Sequence, residues 1–386
     1  MTAQDQVLQK TTLGVYTHVP FCASTCDFCA FYQKQPNREE IKRYLQGIQT
    51  ESDLFLKNIP VDTIFWGGGT PGLLMPKDLD ALGQSILKNI TNRPTEWTIE
   101  MAPSTVKPEK LKVLKDLGVT RISMGVQSFN AKTLEGLGRL HSPKQVYKAW
   151  DYIQEAGFQN TNLDLIFAIP GQSITEWLTD LNEAIRLSPA HISTYCLTFE
   201  EDTKLYVKLS QGKIKRDIDQ EANLYERTWE VLENNGYHQY EISNFAKPGQ
   251  ECQHNVHTWQ MHEWIGLGPS ASSQYQNKRF TNPASIEEWL KGIETGNQAY
   301  IDTETLTENT LALDSLIFGL RMNTGVNLPV LQQRFPHFNW QQLDHIIQTL
   351  TESEHCNLTQ ESILKLTSTG RLMADSIAKY LMEEIE

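Results

Sequence analysis

Short runs of β-branched and aromatic residues recur along the first half of the chain, each followed by apolar residues at helical spacing. The runs Leu13–Val19, Val61–Trp66, Trp97–Met101, Thr120–Val126, Asn162–Ile169 and His191–Phe199 predict six strands. Between and after them, Glu39–Leu56, Lys77–Asn89, Pro108–Leu117, Ala131–Leu137, Pro143–Ala156 and Ile174–Leu187 carry helical periodicity. Strands alternating with helices across short connections imply parallel pairing and right-handed crossovers. Six repeats are fewer than the eight of a closed barrel. The pattern therefore predicts an α/β fold, an open, partial (β/α)6 barrel. The near-continuous apolar run Leu163–Ile169 suggests a strand buried on both faces.

Past Ala246 the pattern changes. Trp264–Ala271 is punctuated by Gly and Pro, as in closely packed loops. Glu308–Arg321, Leu328–Phe335 and Trp340–Leu350 then read as helices, Ser362–Leu366 as a short strand and Leu372–Leu381 as a final helix. Three helices with a β-wing predict a winged-helix-like module. It lacks a basic recognition helix, so a lid or protein-docking role is expected rather than DNA binding. The expected division is residues 1–245 for the barrel, 246–301 for flanking loops and 302–386 for the module.

In parallel α/β folds the chemistry gathers at the C-terminal ends of the strands, and the unusual residues of this chain fall there. Cys22, Cys26 and Cys29 follow the first strand as C-x3-C-x2-C, inside Tyr16–Tyr32. A closed zinc site or an electron-transfer cluster takes four protein ligands. Three thiols can instead hold three irons of a [4Fe–4S] cluster and leave the fourth iron open. The nearest further zinc ligand, His18, lies in the apolar strand. Gly67-Gly-Gly-Thr70 follows the second strand, where glycine lets backbone approach a ligand. No G-x-x-x-x-G-K-[ST] pattern makes it a phosphate loop. Glu100 ends the third strand, Gln127 and Ser128 end the fourth, and Asp164 lies within the fifth. A carboxylate inside an apolar strand needs a partner.

Composition narrows the setting. Six cysteines in 386 residues are too few for a disulfide scaffold, and Cys196, Cys252 and Cys356 follow no pattern. Reduced thiols and an exposed cluster fit a reducing, cytoplasmic compartment. Met1–Lys10 lacks the apolar core of a signal peptide, and no apolar run is long enough to span a bilayer. The net charge of −13 argues against general nucleic-acid binding.

The segments Tyr16–Tyr32, Phe65–Pro71, Thr98–Glu100, Arg121–Gln127, Gly138-Arg139, Asp164–Gly171 and Tyr240–Ala246 resemble the oxygen-independent coproporphyrinogen III oxidase-like group of radical S-adenosylmethionine (SAM) proteins. The resemblance covers nearly the whole chain. It implies the radical SAM form of the partial barrel, a [4Fe–4S] cluster on Cys22, Cys26 and Cys29, and SAM chelating the open iron. Tyr16, Phe28, Gly68, Gly69, Thr70, Glu100, Gln127, Arg139 and Asp164 match SAM-contacting positions of the group. An acidic side chain suits ribose hydroxyls or an ammonium, Arg139 suits a carboxylate, and Phe28 can flank adenine.

The group contains a dehydrogenase, which decarboxylates two propionates of coproporphyrinogen III, and heme chaperones, which bind heme and deliver it to acceptor proteins. Dehydrogenase members resemble C-x3-C-x2-C-x-C with a longer leading segment. Here Phe31 stands at the extra cysteine and 21 residues precede Cys22. Cys252–Trp259 resembles the chaperones' H-N-x-x-Y-W signature, with Thr258 in place of Tyr. The resemblance therefore implies a heme chaperone that retains cluster and SAM, with the dehydrogenase as the alternative. His254, Asn255 and Trp259 are the heme-binding candidates, at a surface site near His254, with His257 or Cys252 as further iron ligands. Heme-acceptor proteins are the expected partners, with an electron donor if SAM is turned over.

Overall fold

The computed structural model describes residues 13–385. The reading of Met1–Lys10 lies outside them. Strands β1 (Leu13–Val19), β2 (Thr63–Gly68), β3 (Glu96–Met101), β4 (Arg121–Gln127), β5 (Asn160–Phe167) and β6 (His191–Cys196) pair in sequence order, all parallel. Helices α1 (Arg38–Phe55), α2 (Pro76–Leu87), α3 (Pro108–Leu117), α4 (Ala131–Gly136), α5 (Pro143–Glu155) and α6 (Ile174–Leu187) occupy the crossovers. Their starts are locally encoded. Asn37 and Ser173 accept N-cap hydrogen bonds, Ser142 and Ser173 head capping boxes, and Pro76, Pro108 and Pro143 open α2, α3 and α5.

Alternation along the strands sorts two faces. Ile64, Trp66, Trp97, Ile99, Ile122, Met124, Leu163 and Leu165 are fully buried in the main core. The other face carries Thr17, Thr98, Ser123, Asn162, Asp164 and Ser193. Leu163–Ile169 is thus not apolar on both sides: its Asp164 belongs to a polar face.

The sheet extends beyond the six repeats. After α7 (Lys204–Ser210) and α8 (Ile218–Asn234), β7 (His238–Gln239) and β8 (Asn244–Ala246) add antiparallel strands beside β6. Helix α9 (Gln253–Trp259) then leads into β9 (Glu263–Leu267), which pairs parallel with the free side of β1. Strands β10 (Ser272–Tyr275) and β11 (Lys278–Thr281), helix α10 (Ile286–Thr295) and strand β12 (Ile301–Thr305) follow, and the three strands bring the sheet to 12. Buried Glu51 of α1 ties this extension down by accepting from Gly268 N (2.7 Å), Asn282 Nδ2 (2.9 Å) and Trp289 Nε1 (2.9 Å).

The C-terminal elements build a second apolar core, from Ala312 to Leu381. They are α11 (Glu308–Leu320), β13 (Val326–Asn327), α12 (Leu328–Arg334), α13 (Trp340–Glu352), β14 (Cys356–Leu358), β15 (Ile363–Leu366), α14 (Ser368–Leu372) and α15 (Ala374–Ile385). The last three strands form their own sheet. Polar contacts join this core to the barrel. Asn323 N donates to Tyr240 O (3.0 Å), and the Arg321 and Arg371 guanidiniums lie 5.1 and 4.4 Å from the Trp259 and Trp229 rings. Among the described residues no helix is long and apolar enough to cross a membrane.

Candidate cluster and cofactor site

The cysteine loop leaves the C-terminal end of β1 and is pinned at both ends. Cys22 N donates to Lys34 O (3.0 Å) and Lys34 N to Pro20 O (2.7 Å). His18 is one of its struts: Nε2 donates to Tyr32 O (3.0 Å) and Nδ1 faces Tyr16 Oη (3.4 Å). All three cysteines are half-buried and unpaired. Among the described residues no three His, Cys, Asp or Glu side chains converge on a single-ion position.

The Gly67–Thr70 turn packs directly on this loop. Gly69 N donates to Val19 O (2.9 Å) and Thr70 N to Phe21 O (2.8 Å). A Cβ on Gly69 would stand 2.6 Å from Val19 O and 2.9 Å from Phe21 N, so only glycine allows the approach. Gly68 has φ +94°, and a Cβ there would run into the His18 ring. Thr70 Oγ1 reaches Cys22 Sγ (3.5 Å).

Arg139 approaches from beyond β4. Its Nη1 donates to Cys26 Sγ (3.3 Å) and its Nη2 to Gly125 O (2.8 Å). Gln127, at φ +68°, sits where the β4–β5 register shifts, and its amide lies beside Gly125 and Arg139. Such non-glycine strain, about 1–3 kcal/mol, gathers at functional sites. Phe28 packs on a small apolar cluster of Leu137, Ile166, Leu197 and Leu205.

Glu100 and Asp164 share the polar face. Burial, with the Asp164 charge adding to it, pushes the Glu100 carboxyl up to about 8. Burial likewise raises Asp164, against hydrogen bonds from Ser123 Oγ (3.0 Å) and Asn162 Nδ2 (2.8 Å). A polar chain runs on from there. His191 Nδ1 donates to Asn162 Oδ1 (2.7 Å), Tyr240 Oη donates to His191 Nε2 (2.9 Å), and Cys252 N donates to Tyr240 Oη (3.4 Å). The motifs did not reveal Ser123, Asn162, Ser193, His191 or Tyr240. The available signal was polar residues in register on neighbouring strands, Ser123 opposite Asn162 and Asp164 opposite Ser193.

Helix α9 lies at the other end of the barrel. Its partners are residues at strand starts: Gly14 of β1, Thr63 of β2 and Glu96 of β3. Glu96 is the anchor. It accepts from His254 N (3.0 Å) and Gln253 N (3.1 Å) and pairs with buried Arg121 (2.9 Å), which also donates to Gln250 O and Glu251 O. The His254 ring is 8% exposed, bonded through Nδ1 to Thr63 Oγ1 (2.9 Å), with its centroid 5.3 Å from that of Phe65. Burial pushes its pKa down to about 4.

Residues 16–184 match the radical SAM superfamily. Over 382 residues the chain is 32% identical to the heme chaperone HemW of Bacillus subtilis, an alignment covering 96% of this chain and 100% of that protein. The chain belongs to the HemW family of radical SAM proteins. HemW of Escherichia coli is 35% identical over 265 residues, 67% of this chain and 69% of that one. The mitochondrial radical S-adenosyl methionine domain-containing protein 1 of Danio rerio is 31% identical, covering 97% and 87%. Coproporphyrinogen III oxidase (HemN) of E. coli superposes with a TM-score of 0.85 over 96% of this chain and 90% of that one, at 21% identity, which speaks for the fold.

Membership in the HemW family implies a [4Fe–4S] cluster and SAM, and the residues at the strand ends fit that pair. Burial raises the Cys22 thiol and pushes Cys29 up to about 11. Thiols held neutral by burial lose their protons when iron binds. Arg139 supplies a cation at Cys26 Sγ, and Glu100 accepts from Gly68 N without any cation as partner among the described residues. When bound, cluster and SAM supply one-electron reductive chemistry.

The heme candidates fit less well. The motif suggested a surface ligand at His254, but the ring is a packed, hydrogen-bonded strut at the strand-start end. Cys252 is buried with its Sγ 3.4 Å from Glu96 Oε1, which removes it as an accessible ligand. Trp259 is held between the barrel and α11, by Arg321 and by Phe318 with ring centroids 5.8 Å apart. Asn255 is half-buried on α9.

Proposed function

We propose that this chain is a heme chaperone, which binds heme and hands it to acceptor proteins. The same reading has it hold a cluster on Cys22, Cys26 and Cys29. SAM is assigned to Tyr16, Phe28, Gly68, Gly69, Thr70, Glu100, Gln127, Arg139 and Asp164. The observation that carries the function is kinship along the full length: the B. subtilis relative, matched end to end, is a heme chaperone. Phe31 supports it. The side chain is 67% exposed beside the cluster cysteines, where the dehydrogenase type has a thiol.

The SAM assignment is supported by placement. Gly68, Gly69, Thr70, Glu100 and Gln127 lie at or just past the ends of β2 to β4, Tyr16 and Asp164 lie within β1 and β5, and Thr70 and Arg139 reach Cys22 and Cys26. Glu100 suits an ammonium or ribose hydroxyls, and Arg139 a carboxylate. This chain's residues would bind and orient SAM and limit water around it.

Anaerobic reconstitution, followed by a heme titration beside an assay with SAM, reductant and coproporphyrinogen III, tests the reading. Stoichiometric heme binding without decarboxylated product is expected. Catalytic turnover of coproporphyrinogen III would restore the dehydrogenase, which the HemN-like fold accommodates. Neither product nor heme binding would refute both.

A further inference from the structure

We infer that Asp27 is a positioning residue for the cluster-and-SAM site, and that its carboxylate, through Lys204 and Lys208, fixes α7 as a wall of that site. The inference rests on the SAM assignment above and adds an element to it. Asp27 stands between Cys26, assigned to the cluster, and Phe28, matched to adenine. Its side chain is only 15% exposed, and a carboxylate so enclosed needs partners. α7 supplies them. Lys204 Nζ donates to Asp27 Oδ1 (3.1 Å) and Lys208 Nζ to Asp27 Oδ2 (3.0 Å). The two lysines are one helical turn apart, so both ammoniums leave the same face of α7. Backbone joins the same two segments, because Leu205 N donates to Asp27 O (3.0 Å).

A third segment meets them here. Asp27 N donates to Leu137 O (3.0 Å), just before Gly138-Arg139. Gly138 has φ +71°, and a Cβ on it would stand 2.7 Å from Asp27 Oδ1 and 3.0 Å from Asp27 N. Next in the chain, Arg139 donates to Cys26 Sγ (3.3 Å). Beneath these polar contacts, Leu205 of α7 shares the apolar cluster of Leu137, Ile166 and Leu197 on which Phe28 packs. Asp27 is therefore the point where the cysteine loop, the Arg139 loop and α7 are tied together. Arg139 suits the carboxylate of SAM and Phe28 its adenine, so the tie fixes the spacing of groups assigned to the two ends of one ligand. The lysine side chains are 66% and 42% exposed, so each pair adds little to overall stability. Their loss should loosen α7 rather than unfold the barrel.

The test uses the full-length protein, reconstituted anaerobically. It reads SAM affinity by equilibrium dialysis, bleaching of the cluster absorbance in air, and hydrogen exchange. Asp27→Asn is expected to weaken SAM binding and to speed bleaching, each about three- to tenfold, the range that two partly exposed ion pairs supply. Exchange should rise in α7 and stay at wild-type rates in β2 to β5. The gap from wild type should narrow at high salt, which screens ion pairs but not backbone hydrogen bonds or packing. Lys204→Gln/Lys208→Gln should reproduce these changes with the cysteine loop untouched, so it decides the matter if Asp27→Asn fails to load its cluster. Lys213→Gln/Lys215→Gln, at exposed lysines further along the same segment, controls for lost positive charge. Wild-type SAM affinity and bleaching in the cluster-loaded Lys204→Gln/Lys208→Gln protein would overturn the role of α7. A loss that is equal at low and high salt, or shared by the control, would overturn the ion-pair tie. If the unmutated protein binds no SAM, the SAM assignment itself fails, which is a separate result.

Discussion

At the scale of single residues, the chain places its costly features in a few positions. Gly69 is one, because a side chain there would meet backbone atoms of the cysteine loop, which cannot swing aside. Gly69→Ala should therefore abolish the broad visible absorbance of the reconstituted cluster. Gly136→Ala, where an added Cβ meets nothing within 4 Å, should keep it. Normal cluster loading in Gly69→Ala would show that the turn does not support the loop. Glu51 is another. Burial pushes its carboxyl up to about 7 despite three donors. A folded-state pKa above the unfolded value means that the folded protein binds the extra proton. Stability is then greatest below the unfolded pKa, near 4.5, and falls as pH rises to about 7, by on the order of 3 kcal/mol. Urea unfolding between pH 5 and 8 should show this decline. Glu51→Gln should flatten it, while losing about 1–3 kcal/mol overall because an amide cannot accept from all three donors. Parallel pH profiles for the two proteins would assign the decline to other groups.

At the scale of elements, the Glu96–Arg121 pair holds α9 onto the barrel. Both side chains are buried, and each also serves backbone groups of the 250–254 segment. Removing one partner leaves a buried charge alone, at a cost of about 3–5 kcal/mol. Arg121→Leu should lower the unfolding free energy by that amount and speed amide exchange in α9. A loss below 1 kcal/mol would mean that α9 is held by its apolar contacts instead.

The same elements show what the chain announces and what it conceals. The six barrel strands were legible because each is an apolar run bounded by turns, and their helices because apolar residues recur at helical spacing. β7 has two residues, and β12 is Ile-Asp-Thr-Glu-Thr, exposed throughout, so neither carries a core pattern. α9, Gln-His-Asn-Val-His-Thr-Trp, has no apolar stripe either. The cysteines, glycines and strand-end carboxylates were legible because their chemistry is unusual for their surroundings. The Asp164-to-Cys252 polar chain was not, since it depends on register between strands. Nor was the position of His254. A motif says what a residue resembles, whereas the path of the chain decides which end of the barrel it reaches.

At the scale of the whole molecule, two apolar cores meet through polar and aromatic contacts. Arg321 faces Trp259 while pairing with Asp375 (2.9 Å), and Arg371 faces Trp229 while donating to Gln239 Oε1 (2.5 Å). Partly desolvated cation–π contacts contribute about 0.5–2 kcal/mol each. Loss of both should loosen the docking of the module without unfolding either core. In the double variant Arg321→Ala/Arg371→Ala, hydrogen exchange is expected to rise in α9, α11 and β7 and to stay at wild-type rates in β2 to β5. Cluster absorbance should persist, because Cys22, Cys26 and Cys29 stand at the opposite ends of the strands. A general rise in exchange, with cluster loss, would mean that the two cores fold as one cooperative unit. The α9 face lies between the barrel and the module, so this distinction decides whether anything bound there can be released by moving one core while the other stays fixed.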